Sequence, residues 1–585
     1  MRRWWARGAI RTGRGRCRAS LRCGAGAGAG GEAGGEAGAV VRGPAPGSNN
    51  WAVSGARTRD GRAILANDMH LRIMTPPPWF RVQLNWGKGR FAAGVSLPGC
   101  PGVIAGSNGR VAWGFTNLTG DCEDFIRVRT DAEGRRYRFG PGAEDYEAFG
   151  SIVERIEVAG GPAEELVLRT TRWGVVTGKS WDGAPLVLRW PALDPETVNL
   201  RILGIIGAQT LEEAVECARG WWGPPQNCVM ADATGRVAWV VTGWIPERRG
   251  FDGRRHADWS AEGVGWAGPV DEAKRPVVLD PADGVVFTAN ARPTGLEAAR
   301  VLGRCWSMGD RAGRIAEVLR GGAGLTERDM LALQLDTRTP AMDFYRDVLL
   351  GAVGESETDA ELAAARRAAA EWNGRADAES VGFRVLARFR GVLTERLERA
   401  VLGGAGGDGG ANYWWLQDDE MFMRVLEERP AWVLARMRES SWEGAIRGTL
   451  RRSLGRASNE AERYPADWTW GRSNRVRFQH PLSLAVPWLG RVLDMPAEEQ
   501  AGHVMAVRVA GPTFGASERL VVSPGREEDG ILHMPGGQSG HFLSRHYRDG
   551  QGAWLRGEAT ALLAGPVVSG FRLEPAGARG RGPGG

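Results

Sequence analysis

From residue 46 onward, apolar and polar positions alternate in short runs. Trp51-Ala52-Val53-Ser54-Gly55 and Ala63-Ile64-Leu65-Ala66 stand on either side of Asp60-Gly61, a pair suited to the positive φ of a tight turn. This spacing predicts a hairpin. The device recurs where Val103-Ile104-Ala105 precedes Asn108-Gly109 and Val111-Ala112-Trp113 follows, and again where Asp232-Ala233-Thr234-Gly235 leads into Val237-Ala238-Trp239-Val240-Val241. A 3.6-residue period replaces the alternation around 210–220, 326–336 and 358–402 and predicts helices there. The second of these opens on Thr326 with Glu327 and Asp329 behind it, a capped start. Residues 403–410 form a Gly-rich connection, and 411–570 reads as short strands and turns. Strands, then a helical block, then strands predict one large α+β unit over 46–575, with a helical insertion at about 326–402.

Composition bounds this picture. The chain has 585 residues, 43% hydrophobic and 25% charged, enough for a large core. Its net charge is +6, with much of the excess in Arg2, Arg3, Arg7, Arg11, Arg14, Arg16, Arg18 and Arg22. The remainder is close to balanced, so charge gives no case for a nucleic-acid partner. Residues 1–45 and 576–585 are Gly/Ala/Arg-rich tails, predicted to be disordered. The basic start lacks the apolar stretch of an export signal. No apolar run reaches eighteen residues, so no membrane span is predicted. The seven cysteines have no CxxC spacing and read as free thiols rather than a zinc site or disulfide frame.

Candidate chemistry begins at Gly47-Ser48-Asn49-Asn50-Trp51, which opens the first strand. His70 closes the first hairpin in Asn67-Asp68-Met69-His70-Leu71. Next come Gly94-Val95-Ser96-Leu97-Pro98-Gly99-Cys100-Pro101-Gly102 and the run from Gly106 through Asn117. Further on stand Ala231-Asp232 with Gly243-Trp244-Ile245-Pro246, Phe287-Thr288-Ala289-Asn290, Gly309-Asp310-Arg311, Gly515-Ala516-Ser517-Glu518-Arg519 and Pro535-Gly536-Gly537-Gln538-Ser539-Gly540-His541. Only seven histidines exist, none in a G-x-S-x-G or HExxH setting.

In this order and spacing the segments resemble the catalytic β chain of the penicillin acylases, a family of N-terminal-nucleophile hydrolases, over roughly residues 46–560. The resemblance implies a four-layer αββα fold and self-cleavage of the Gly47–Ser48 bond. Ser48 then becomes a chain terminus. A serine hydroxyl is a weak nucleophile and needs a base. A free α-amine, with a pKa of about 7.7–8.0, can take the proton near neutral pH, so no His–Asp pair is required.

By motif match, the Asn290 side chain and the Asn117 backbone N–H would donate to the oxyanion. His70 and Arg311 would hold the arrangement around the amine and Asn290, although a structural hydrogen bond or a plain ion pair explains each equally well. Leu71, and with it Trp222 or Trp221, would wall the substrate pocket. Asp121 and Asp124 match carboxylates that help bind a structural calcium ion; facing solvent or capping a turn is the alternative. Arg300 stands near where a further acidic ligand is expected. No cofactor is needed for the chemistry.

The implied reaction is hydrolysis of a linear, small-molecule amide: a penicillin or cephalosporin side chain, an N-acyl-homoserine lactone or another N-acyl compound. The family carries an α chain ahead of the nucleophile. The 47 residues before Ser48 look nothing like one, so an α-chain-like partner is expected. Two other readings remain open. One is an inactive β-chain fragment serving only as a binding or structural module. The other is a serine hydrolase built on Ser539 with His541 or His546.

Overall fold

The computed structural model describes residues 47–402, 418–455 and 467–573. The expected tails at 1–45 and 576–585, the Gly-rich connection at 403–410, and Cys17 and Cys23 lie outside the described residues.

Two seven-stranded antiparallel sheets form the centre. In the first, the strand Gly47–Val53 lies between Val285–Thr288 and Ile64–Arg72, and the latter pairs in turn with Phe514–Ala516 and Arg519–Val522. The second orders Val277–Leu279, Val237–Thr242, Gln226–Asp232, Val111–Asn117, Ala105–Ser107, Arg90–Ser96 and Phe80–Trp86. The expected turns are present, with φ of +80° at Gly61 and +84° at Gly109, values at which a side chain would be strained.

Side-chain alternation decides what each face does. Ala52, Leu65 and Met69 of the first sheet meet Ala93, Val95, Ala112, Val229 and Trp239 of the second in a shared apolar core. Trp51, Val53, Ile64 and Ala66 point the other way, onto Ile315, Leu319, Met330 and Leu331 of the helices Asp310–Gly321 and Glu327–Gln334. On the far side of the second sheet, Trp113, Phe115, Met230 and Val240 pack on Leu211, Ala214 and Ala218 of the helix Leu211–Arg219. The Glu327–Gln334 helix starts in a capping box: Thr326 and Asp329 satisfy each other's backbone N–H, as the sequence suggests.

Helices extend beyond 402. Asp418–Glu428, Ala431–Met437 and Trp442–Gly455 join Ala341–Ala352, Ala360–Ala370 and Val381–Leu402. The sequence here reads as strands and turns because arginines and glycines interrupt the pattern. The buried set Trp442, Ala445, Ile446, Thr449, Leu450 and Ser453 nevertheless keeps the helical period. A five-stranded sheet, Gly150–Ile156, Glu164–Thr171, Gly174–Lys179, Pro185–Arg189 and Asp124–Arg127, lies to one side, with the ribbon Pro246–Arg249 and Gly265–Pro269. Among the described residues no helix is long and apolar enough to cross a membrane. The described cysteines are free; Cys228 is buried and Cys305 exposed.

Candidate active site

Ser48 is the second residue of a strand buried along its whole length and is itself 5% exposed. Alternation turns it toward the gap between the sheets, with Asn50 and Asn67. There the apolar inter-sheet core ends in polar groups: Thr116 and Thr288 bridge the two sheets through their hydroxyls at 2.8 Å, and Asn227 donates to Thr116 at 3.1 Å. The Gly47–Ser48 bond is intact. The Ser48 hydroxyl donates to the Gly47 carbonyl at 2.5 Å, which places it on the bond expected to break.

Asn290 sits at the end of the Val285–Thr288 strand with φ +64°, a left-handed conformation that asparagine tolerates better than most residues. Its Oδ1 accepts the Ser48 backbone N–H at 2.6 Å, and its Nδ2 donates to the Asn117 carbonyl at 2.9 Å. In the uncut chain Asn290 is therefore an acceptor toward Ser48, with its second Nδ2 hydrogen not spoken for by Asn117. Arg311, in the first turn of the Asp310–Gly321 helix, ties the set together. Nη1 donates to the Ser48 carbonyl at 2.9 Å and to Asn49 Oδ1 at 2.6 Å, and Nη2 donates to Asn290 Oδ1 at 3.0 Å. Burial lowers its pKa to about 10, with Asp68 and Asp310 opposing, so it remains a cation.

His70 pairs in register with Gly47 and is fully buried. Its Nε2 lies 2.5 Å from Asp68 Oδ2, and Asn49 Nδ2 reaches the same carboxylate at 3.1 Å and the Val507 carbonyl at 2.9 Å. Burial depresses the imidazole pKa, chiefly by desolvation, and Asp68 only partly offsets this. The depressed pKa favours the neutral ring, in which a hydrogen on Nε2 shared with Asp68 leaves a lone pair on Nδ1. Among the described residues that Nδ1 has no hydrogen-bond partner, and a methyl group built on Gly47 would stand 3.5 Å from it.

Asp68 and Asn49 were not singled out from the sequence. A signal existed for Asp68: it lies two residues before His70 on a strand and so shares its face. Glu518, within the Gly515–Arg519 segment, accepts the Met69 N–H at 3.0 Å, and burial raises its carboxyl well above the usual range.

The remaining expected residues are spread more widely. Leu71 follows His70, opposite Gly515, and packs at the edge of the inter-sheet core. Trp222 lies on the loop after the Leu211–Arg219 helix, where its carbonyl accepts the Asn199 N–H and its own N–H donates to Asn199 Oδ1, while its neighbour Trp221 packs edge-on against Phe115. Ser539 accepts the His541 N–H at 3.1 Å within a turn, and His546 is exposed on Asp549 at 2.7 Å, so neither imidazole is shown activating that hydroxyl.

Asp121 and Asp124 come together, but on a guanidinium. Arg248 Nη2 donates to Asp121 Oδ1 and Arg248 Nε to Asp124 Oδ2, each at 2.7 Å. Among the described residues no group of three or more His, Cys, Asp or Glu could hold a metal. The pair as arranged does not fit a calcium ion. Arg300 closes the short helix Leu296–Ala299 and pairs with its Glu297 at 2.9 Å.

The chain is similar to known proteins over most of its length. The chain is 30% identical over 541 residues to penicillin acylase 2 proenzyme of Pseudomonas sp. (strain SE83), covering 87% of this chain and 66% of that protein. It is 28% identical over 583 residues to the acyl-homoserine lactone acylase QuiP of Pseudomonas aeruginosa, with the same two shares covered. The chain thus spans about two thirds of the length of these relatives. Its fold resembles a thermostable penicillin G acylase from Alcaligenes faecalis, with a TM-score of 0.65 at 17% identity, covering 90% of this chain and 100% of that one. The penicillin amidase family model matches residues 6–566, and the chain belongs to that family.

Proposed function

We propose that the chain is the catalytic unit of an amide hydrolase that cuts its own Gly47–Ser48 bond and then uses Ser48 as an N-terminal nucleophile. The observation that carries this reading is the convergence on Ser48 of Asn290 and Arg311, 242 and 263 residues away in sequence. Two apolar sheet faces packed on helices support an αββα layering of the N-terminal-nucleophile type.

In the first reaction Ser48 Oγ attacks the Gly47 carbonyl carbon. The C–N bond breaks, the amine of Ser48 takes up the proton, and an ester remains. Water hydrolyses that ester and leaves a carboxylate on Gly47. In the second, the freed α-amine stays on Asn290 Oδ1 and takes the Ser48 hydroxyl proton through a water as the hydroxyl attacks a substrate amide. The Asn290 Nδ2 hydrogen and the Asn117 N–H receive the oxyanion, each worth about 2.7–4 kcal/mol of barrier. The α-ammonium returns that proton to the substrate nitrogen, the C–N bond breaks and the amine leaves; water, giving its proton to the same α-amine, then releases the acid from the acyl-enzyme and restores the Ser48 hydroxyl. Leu71 and Trp222 serve as pocket walls. The names of the relatives point to β-lactam side-chain amides and N-acyl-homoserine lactones as the substrates to try. Their greater length supports an α-chain-like partner segment.

Intact-mass analysis tests the reading. The purified chain should yield a fragment beginning at Ser48, Ser48→Ala should stay whole, and an acyl-anilide, penicillin and N-acyl-homoserine lactone panel should show acid and amine release that Ser48→Ala abolishes. Cleavage or hydrolysis that persists in Ser48→Ala would refute it.

A further inference from the structure

The loop that leaves Asn117 is fastened by charge. Asn117 Oδ1 accepts the Thr119 N–H at 3.0 Å, and Asp121 N–H donates to the Leu302 carbonyl at 2.9 Å. At Asp124 the chain enters the strand paired with Pro185–Arg189. Arg248 reaches this loop from the Pro246–Arg249 strand with three donor contacts: Asp121 Oδ1 and Asp124 Oδ2 at 2.7 Å each, and the Asp121 carbonyl at 3.1 Å. Trp266 of the paired strand adds its indole N–H to Asp124 Oδ2 at 2.7 Å.

The contacts are shielded. The Asp124 side chain is 2% exposed and that of Arg248 13%. Glu123, between the two aspartates, is exposed and does not join them. Asp121 is partly exposed, at 27%, and Asp124 buried; two carboxylates sharing one such site repel each other unless a positive charge with directed donors stands between them. A planar guanidinium supplies both in a fixed fork, which an ammonium does not.

We infer that Arg248 is a built-in counter-cation: its guanidinium takes the place between Asp121 and Asp124 that the family resemblance gives to calcium, and the fold holds this loop without a divalent metal. The clamp joins three pieces: the loop after Asn117, the side sheet at Asp124 and the ribbon carrying Arg248. It therefore sets the position of the Asn117 carbonyl that Asn290 donates to. The inference does not depend on the proposed chemistry, because it concerns stability and metal content.

Thermal melting of the full chain, in EGTA and in millimolar calcium chloride, tests it with native mass spectrometry alongside. The uncut Ser48→Ala chain serves equally well. The melting temperature should agree within about 1 °C between the two buffers, and no calcium should be retained. Arg248→Ala should melt roughly 3–6 °C lower, because it strands the buried Asp124 carboxylate beside the partly buried Asp121. Arg248→Lys should fall in between, and it carries the comparison if Arg248→Ala does not fold. A melting temperature that drops in EGTA, one calcium ion per chain surviving desalting, or an Arg248→Ala chain as stable as the parent would each overturn the inference.

Discussion

The two halves of the Asn290 amide do different work, and Asn290→Asp separates them. The substitution keeps an acceptor oxygen 2.6 Å from Ser48 N and 3.0 Å from Arg311 Nη2, and strengthens the second contact by making it an ion pair. It replaces Nδ2 with an oxygen facing the Asn117 carbonyl at 2.9 Å, so two acceptors then oppose each other. That conflict costs about 1–3 kcal/mol, against which the buried Arg311 pair provides an offset of similar size. The melting temperature should therefore change little.

Catalysis should change much more, because the oxyanion donor is gone. A loss of about 2.7–4 kcal/mol slows the chemical step by about 10²–10³-fold. The rate of appearance of the Ser48-started fragment, followed by intact mass, and single-turnover hydrolysis of a chromogenic acyl-anilide both read this directly. Asn290→Ala, which removes acceptor and donor alike, should be slower still in self-cleavage, since Ser48 N–H then loses its partner. If Asn290→Asp cleaves itself and turns over within about threefold of the parent while remaining folded, the donor role assigned to Asn290 is wrong.

Other consequences are open to measurement. Asp68→Asn keeps the shape but removes the negative charge that faces His70 Nε2, so the ring loses its fixed tautomer; self-cleavage should slow about 10–100-fold with the melting temperature nearly unchanged, as a mass time course would show. Gly47→Ala places a methyl group 3.1 Å from Arg311 Nη2 and 3.3 Å from Asn290 Oδ1, so it should retard self-cleavage by up to about 10²-fold. Turnover of any mature enzyme that forms should be untouched, because residue 47 departs with the released segment. His533 is buried, and desolvation lowers its pKa to about 4, so its neutral form is favoured on folding. Its contribution is complete above pH 6.5 and is lost as pH falls toward 4, at about 1.4 kcal/mol per pH unit. Urea melts of the parent and His533→Gln should show their stability difference shrinking by that slope between pH 6.5 and 4.5. Asp310 and Glu518, whose raised carboxyls run the opposite way, cancel from the difference.

The sequence exposed the parts of the site carried by strands and hid those carried by packing. Ser48, His70, Asn117 and Asn290 lie at strand ends beside recognisable turns, where period-two patterning and Gly/Asn punctuation are strongest. Arg311 was visible through Gly309-Asp310-Arg311, but the helix it begins was not. Its glycines at 313 and 321 and its arginines at 314 and 320 mask the Ile315–Leu319 spacing that buries it. Asn49 could not be placed because one of its partners is a main-chain carbonyl at Val507, which leaves no mark on side-chain chemistry. The Arg248 clamp was hidden for a different reason: an arginine 124 residues from Asp124 looks like any surface charge until the fold brings the two together.

The strand Ile64–Arg72 has one neighbour from its own end of the chain and another from beyond residue 510. Met69 and Glu518 are 449 residues apart, and Asn49 and Val507 are 458 apart. A ribosome must therefore release nearly the whole polypeptide before this edge can be covered. Contacts of such long sequence separation form late, and an uncovered strand invites association with other chains in the meantime. Slow synthesis at low temperature, which keeps the number of half-finished molecules small, should raise the yield of folded material.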